Sequence, residues 1–296
     1  MKPAPFIYLT PSTIEEAIAL LVAHGETAKL LAGGQSLVPM MNFRLARPEQ
    51  VIDLNRVQGL DYITERDGRL MVGAMTCQRS LERSALIRQH YPLLLEATEL
   101  IGHTAIRNRG TVGGSLAHAD PAAELPAVLL AYGGSVVVQG PQGTRQIAAE
   151  ELFLTYFTTA LAPDEILTEV RFPRWPQSTG WCFMEESRRH GDFAMVGVAA
   201  LLTLDAERRC TRVAVALTGV GGVPYNVVEA SAILVGQVPD ETRIAEVAQA
   251  AAAGVEPEGD LHASAEFRRH LSGVLTRRAL HQAVARAMSA SGERQP

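Results

Sequence analysis

The chain has 296 residues, 47% of them hydrophobic and 20% charged, which excludes a disordered protein and leaves room for two or three domains. A net charge of −5, a pI near 5.9 and 5% aromatic content exclude a basic nucleic-acid binder with base-stacking platforms. No run is long enough to cross a membrane, Met1-Lys2-Pro3-Ala4-Pro5-Phe6 lacks a signal-peptide pattern, and three isolated cysteines (Cys77, Cys182 and Cys210) fit a reducing compartment, so a cytoplasmic protein is expected.

In chain order, Ser12-Thr13-Ile14-Glu15 predicts a capping box with Ser12 as N-cap and Glu15 at N3. The helix it opens places Ile14, Ala17, Ile18, Leu21 and Val22 on one face and ends at Gly25. Lys29 to Ala32 predicts a short buried strand that runs straight into Gly33-Gly34, and Val51 to Leu54 predicts another. Together these make a small α/β module over residues 1–55. Strands are expected to dominate next, beginning with Leu70 to Ala74, with a helix over Tyr91 to Ile101. Asp120-Pro121 has the form of an N-cap followed by proline at N1, for a helix through Leu130 that stops at Gly133-Gly134. Ser135 to Gln139, a turn at Pro141-Gln142-Gly143, and Thr144 to Ile147 predict a hairpin; Ile166 to Phe172 alternates as a half-buried strand does.

Pro173 to Gly180 is the strongest boundary in the chain and closes a second unit at 56–176. Strands over 181–188, 196–204 and 210–218, then helices over 226–235, 240–254 and 263–288, predict a sheet with helices on one face in a third unit, 177–288. Residues 289–296 are expected to fray. The fold class is α+β.

Two segments carry the chemistry. Leu30-Leu31-Ala32-Gly33-Gly34-Gln35-Ser36-Leu37 and Arg109-Gly110-Thr111-Val112-Gly113-Gly114-Ser115 each join glycines to small hydroxyl residues beside an apolar run. Glycines let backbone N–H groups approach a phosphate, and Ser36, Thr111 and Ser115 add hydroxyls, with Ser36 also expected to cap a turn at Leu37. Two such loops suit a ligand with two phosphates lying in a cleft between domains. Either glycine pair alone reads equally well as a plain turn. Neither loop is a Gly-x-Gly-x-x-Gly fingerprint or a P-loop. Arg107 and Arg109 are expected to pair with carboxylates at the surface, Asp120 to cap a helix, and Glu124 to complement its dipole or meet a ligand hydroxyl. His118 has no adjacent nucleophile, no Cys-x-x-Cys pair is present, and no hydrolase or metalloprotease motif occurs, so neither a catalytic residue nor a metal site is expected.

Ala32 to Met41 and Ile106 to Pro121 resemble the two FAD-pyrophosphate loops of the flavin-binding medium subunit of molybdenum hydroxylases, the carbon monoxide dehydrogenase and xanthine dehydrogenase type. The likeness continues through Arg189-His190-Gly191-Asp192-Phe193-Ala194, similar to a family segment near the flavin ring. It implies a two-part PCMH-type FAD-binding unit followed by a C-terminal domain, with FAD held noncovalently. By position it implies that Leu31, Ala32, Gly33, Gly34, Gln35, Ser36 and Leu37, with Thr111, Val112, Gly113, Gly114 and Ser115, surround the pyrophosphate. Glu124 falls where the family usually has Asp, Leu167 packs on the cofactor, and Phe193 and Met195 lie near the isoalloxazine; some relatives have lysine at the position of Met195.

The resemblance implies an electron-transfer role without an acid–base catalyst. FAD would collect electrons from 2Fe–2S clusters in a small subunit, which receive them from a molybdopterin large subunit, and pass them to an external acceptor. A heterotrimer, dimerised in its relatives' manner, is the assembly the resemblance implies. Two other readings stand beside it: a self-standing flavin oxidase or dehydrogenase of the vanillyl-alcohol-oxidase type, and a non-catalytic scaffold whose glycine loops are only turns.

Overall fold

Residues 2–292 are described by a computed structural model, in which three units follow one another along the chain. The first comprises β1 (Ile7–Leu9), α1 (Ile14–His24), β2 (Ala28–Leu31), α2 (Leu37–Asn42) and β3 (Gln50–Asp53). Its sheet is parallel, in the order β1-β3-β2. The α1 face of Ala17, Ile18 and Leu21 is buried with Ile52 of the central strand, while Val22 is exposed. The capping box lies one residue later than expected. Thr13 is the N-cap, and its hydroxyl accepts from the Glu16 N–H; Glu16 reaches back to the Ser12 N–H and hydroxyl at 2.7 and 2.9 Å. Both frames fit the spacing, but this one satisfies three donors. Gly25 ends the helix at φ 53.

The second unit opens with β4 (Ile63–Arg66) and β5 (Arg69–Gly73). Where strands were expected to dominate, short helices follow: α3 (Gln78–Arg83), α4 (Ala85–His90), α5 (Pro92–Leu100), which matches the helix expected over Tyr91 to Ile101, α6 (Thr104–Arg107) and α7 (Val112–His118). Then come α8 (Glu124–Tyr132), the hairpin β6 (Ser135–Gly140) and β7 (Gly143–Ala148), α9 (Ala149–Leu152), the small hairpin β8 (Phe153–Thr155) and β9 (Thr158–Thr159), and β10 (Ile166–Pro173). The antiparallel sheet runs β4-β5-β10-β6-β7. α8 begins at Glu124 rather than Pro121. Asp120 caps a turn instead, accepting from the Ala122 N–H at 2.9 Å. The Pro121 carbonyl accepts from the Thr218 hydroxyl and the Gly219 N–H, at 2.7 and 2.8 Å, and so is not part of a helical ladder.

The third unit contains β11 (Thr179–Glu186), β12 (Val196–Leu204), β13 (Cys210–Thr218), β14 (Tyr225–Asn226), α10 (Glu229–Leu234), α11 (Glu241–Gly254) and α12 (Ala265–Gly292). The expected fraying from residue 289 is not seen up to Gly292, where α12 ends; residues 293–296 lie outside the described part. The antiparallel sheet is β11-β12-β13-β14. Every residue of β12 is buried, and alternate residues enter different cores. Val196, Val198, Ala200 and Leu202 pack with α10, α11 and α12, the unit's own helices on one face, as expected. Ala199 and Leu201, with Phe183 and Ala216, pack instead with Leu94, Leu125 and Leu129 of α5 and α8. The two faces of this sheet therefore belong to two hydrophobic cores, and one of them joins it to the second unit. On the helical side Gly180 is needed for contact: a Cβ there would lie 1.8 Å from the Ala283 carbonyl oxygen of α12. The linker is pinned as well, with Trp175 donating to the Tyr132 carbonyl and Arg212 stacked 3.7 Å from its ring centroid.

Candidate functional site

The first glycine loop leaves the end of β2 and is held from behind. Asn55 Nδ2 donates to the Ala32 carbonyl at 3.0 Å, and Gln35 Nε2 donates to the Gly33 carbonyl at 3.1 Å. Asn55 is itself fixed by Asp53, which also accepts from the Tyr8 hydroxyl. Burial raises the Asp53 carboxyl, but the hydrogen bonds from Tyr8 and Asn55 outweigh it and hold the group below its ordinary value. Gly34 turns the chain at φ 73. With the carbonyls tied back, the N–H groups of Gly34, Gln35, Ser36 and Leu37 have no hydrogen-bond partner among the described residues. The Ser36 hydroxyl is free in the same sense; it does not cap α2 as expected. Successive unpaired N–H groups of this kind form an anion-binding nest.

The second loop is built differently. Thr111 caps α7, its hydroxyl oxygen accepting from the Gly114 N–H at 3.1 Å. The Val112 and Gly113 N–H groups donate to the Thr76 and Ala74 carbonyls at 3.0 and 2.8 Å, and the Ser115 N–H donates to the Thr111 carbonyl. The expectation that this loop offers backbone amides to a phosphate therefore fails for residues 112–115: those donors are already used. What it can offer is the hydroxyl hydrogen of Thr111 and the hydroxyl of Ser115.

The fold brings the two loops into contact. A Cβ on Gly33 would lie 2.1 Å from the Arg109 carbonyl oxygen, and one on Gly114 would lie 3.3 Å from the Ala32 Cβ. Gly113 plays the same part against the sheet, since a Cβ there would lie 2.5 Å from the Ala74 Cβ. These glycines serve close approach, so the loop with four unpaired N–H groups lies against the loop that carries the two hydroxyls.

The remaining expected residues are more spread out. Glu124 is 4% exposed at the start of α8, and its side chain has no hydrogen bond to another residue. Burial first, then the charge of Glu185, pushes its carboxyl up to about 8. Leu167 is buried in the core of the second unit. Phe193 is 61% exposed on the β11–β12 connection, whereas Met195 is buried in the core of the third unit. That connection rests on α6's approach: a Cβ on Gly191, at φ 88, would lie 2.4 Å from the His103 ring. Arg107 does pair with a carboxylate, Glu82, but inside the protein rather than at the surface. Arg109 is exposed and makes no ion pair among the described residues. The His118 ring packs on Phe157, 5.2 Å between centroids. No cluster of metal-binding side chains occurs among the described residues. Burial raises all three thiols, Cys182 to about 12 and Cys210 to about 11.

Sequence reasoning missed Tyr8, Asp53 and Asn55, which hold the first loop, and Glu185, whose charge helps to raise the Glu124 carboxyl. The Asp53-Leu54-Asn55 run at a strand end carried the signal of an Asx turn. Glu185 carried none. The donor set suits a pyrophosphate: backbone N–H groups for one phosphate, hydroxyls for its neighbour, and no side-chain cation required.

Comparison with known proteins gives the family. Residues 4–175 match the FAD binding domain in molybdopterin dehydrogenase, and residues 181–283 the CO dehydrogenase flavoprotein C-terminal domain. The chain is 43% identical to the 6-hydroxypseudooxynicotine dehydrogenase complex subunit alpha of Paenarthrobacter nicotinovorans, with 97% of each chain covered. It is 37% identical to the carbon monoxide dehydrogenase medium chain of Hydrogenophaga pseudoflava, over 97% of this chain and 99% of that one. A solved structure of carbon monoxide dehydrogenase from the same organism superposes with a TM-score of 0.94 at 38% identity, covering 97% of this chain and 99% of that chain. No helix among the described residues is long and apolar enough to cross a membrane. The chain is an oxidoreductase component with FAD as its cofactor, and it belongs to the family of FAD-binding subunits of molybdopterin dehydrogenases.

Proposed function

We propose that this chain is the electron-transfer subunit of a molybdenum hydroxylase complex, receiving electrons from the 2Fe–2S clusters of a small subunit and passing them to an external acceptor. The molybdopterin large subunit carries substrate oxidation. The observation that carries the reading is the run of four unpaired N–H groups in the first loop, set against the hydroxyls of the second. FAD supplies the exchange of electrons singly or in pairs. The chain's own residues bind and orient. Gly34, Gln35, Ser36 and Leu37 hold one phosphate through backbone N–H groups; Thr111 and Ser115 donate hydroxyl hydrogens to the other. Leu31, Ala32 and Gly33 set the loop's approach, and Val112, Gly113 and Gly114 set that of its neighbour. Glu124 hydrogen-bonds a cofactor hydroxyl, and Leu167 walls the cleft. The exposed Phe193 shields the ring end, with Met195 anchoring its segment in the core behind it.

The names of two relatives, a complex subunit alpha and a medium chain, support partner subunits for this chain as well. The test has two parts. The purified chain is incubated with FAD, desalted, and its visible spectrum recorded; retained flavin absorbance is expected. The chain is then co-expressed with its iron–sulfur and molybdopterin partners, and flavin bleaching on addition of the complex's substrate is followed. Bleaching only in the presence of both partners is the expected result. Turnover of an organic substrate by the chain alone would overturn the subunit role in favour of a self-standing flavin enzyme.

A further inference from the structure

Arg268 lies in the first turn of α12 and is 7% exposed, so its charge is carried into the third unit. A buried cation is costly unless it is paired and hydrogen-bonded. Its Nη1 donates to the carbonyls of Met195 and Gly219, the second at 3.0 Å, and its Nη2 donates to Asp260 Oδ2 at 2.8 Å. Three connections therefore end on one guanidinium: β11–β12 through Met195, β13–β14 through Gly219, and α11–α12 through Asp260. Asp260 is fixed in turn, its Oδ1 accepting from the His262 and Ala263 N–H groups at 2.8 and 3.0 Å. Arg268 Nε is shut off from solvent and has no hydrogen-bond partner, so these acceptors are what hold the side chain.

The β11–β12 connection, residues 187–195, is tied toward the second glycine loop at two places. Its middle meets His103, the N-cap of α6: the His103 and His190 ring centroids are 5.9 Å apart, and a Cβ on Gly191 would lie 2.4 Å from the His103 ring. α6 leads directly into Arg109-Gly110-Thr111. Its end, Met195, shares Arg268 with Gly219. A Cβ on Gly219, at φ 76, would lie 2.4 Å from the Met195 carbonyl oxygen, and the Gly219 N–H donates at 2.8 Å to the Pro121 carbonyl, just past the end of α7. Arg188, Arg189, His190, Asp192 and Phe193 are exposed, whereas Ala194 and Met195 are buried.

We propose that Arg268 is a positioning residue that clamps the β11–β12 connection against the second glycine loop and so sets the pose of Phe193 at the cofactor cleft. This role deepens the FAD reading and rests on it for the cofactor; the clamp itself stands on the hydrogen bonds. A guanidinium suits the task, because its planar fork serves several acceptors at once. Arg286, near the other end of α12, provides the matched comparison. It donates to the Trp181 carbonyl at 2.8 Å and to both Glu96 oxygens at 3.0 Å. It docks the same helix but reaches β11 near its start, not the connection at its end.

The experiment compares the full chain with R268Q and R286Q by limited trypsin digestion, with the cut sites identified by mass spectrometry. Arg188 and Arg189 are the tryptic sites inside the connection. R268Q should be cut there at least about tenfold faster than the native sequence, as the loss of one charge-assisted hydrogen bond predicts for a local opening. R286Q should change by less than about threefold, because opening is local to the segment that loses its tie. After loading with FAD, R268Q should also lose part of the quenching of bound-flavin fluorescence, and R286Q should keep it. Native cleavage rates in R268Q, folded by circular dichroism, would overturn the clamp. An equal rise in both variants would reduce Arg268 to a tie of the whole unit and overturn it as well. Faster cleavage with unchanged flavin fluorescence would overturn the positioning role at the cofactor. Should R268Q fail to fold, D260N decides, since it loosens the same guanidinium from a side chain that is 47% exposed: faster cleavage after Arg188 or Arg189 supports the clamp, and unchanged cleavage overturns it. Failure of the native sequence to retain FAD would sink the flavin reading alone, since the cleavage pattern needs no cofactor.

Discussion

The two glycine loops look alike in sequence and are opposite in hydrogen bonding. The first ties back its carbonyls through Asn55 and Gln35 and leaves four consecutive N–H groups without partners. The second spends its amides on Ala74, Thr76 and its own cap, leaving hydroxyls. One loop is a receptor made of backbone; the other is a rigid wall that carries side-chain donors. The difference teaches that a glycine near a phosphate site has two separate uses, opening donors and permitting close packing. Gly34 serves the first; Gly33 and Gly113 serve the second.

The largest break in this comparison comes from Gly33→Ala. The added methyl would sit 2.1 Å from the Arg109 carbonyl oxygen, a backbone atom with no rotamer to escape into. Overpacking of this kind costs about 1–3 kcal/mol. Both loops should separate together, so thermal stability and FAD retention should fall in the same variant, measured by thermal melting and by flavin absorbance after desalting. Unchanged melting would show that the loops do not meet as described.

Thr111→Val should have a smaller effect, confined to the second loop. It removes the cap from α7 and leaves the Gly114 N–H unpaired, a loss of about 1 kcal/mol. For a chain of this size that corresponds to a melting-temperature drop of about 2–4 °C. Thr111→Ser keeps the oxygen and should restore most of both stability and FAD affinity. A serine variant as unstable as the valine variant would point to lost methyl packing instead of a lost cap.

Much of this architecture was legible because its signals are local. The hairpin at 135–148 and the strand at Ile166–Pro173 follow from turn residues and alternation. Of the five helices from Gln78 to His118 only α5 was legible; the other four span four to seven residues and barely complete the turns that a helical period needs. The slip in the α1 cap arose because Ser12 and Thr13 both stand three residues before a glutamate. The start of α8 depends on Thr218, 97 residues away from the carbonyl it holds, and nothing near Asp120 announces that. At the site, the residue types were readable, but which amides stay free is set by tertiary partners such as Ala74, Thr76 and Asn55.

Ser36→Ala sharpens the comparison with the smallest structural change. The Ser36 hydroxyl makes no bond to the protein, so its loss should leave stability within about 0.5 kcal/mol of the native sequence. A hydroxyl that serves only a charged ligand should show itself only in binding. Its removal should weaken FAD affinity by about tenfold, the equivalent of about 1.5 kcal/mol for a hydrogen bond to a charged group. Ser115→Ala on the second loop offers the matched control, because its hydroxyl is likewise unbonded while its N–H remains in the α7 ladder. If the nest of N–H groups dominates, Ser115→Ala should cost more than Ser36→Ala: the first loop retains four backbone donors after the substitution, and the second retains only Thr111. Fluorescence titration of FAD against both variants measures the two losses directly. Equal losses would mean that the loops share the phosphates evenly, and a larger loss at Ser36 would place the main burden on its hydroxyl instead of on the backbone around it.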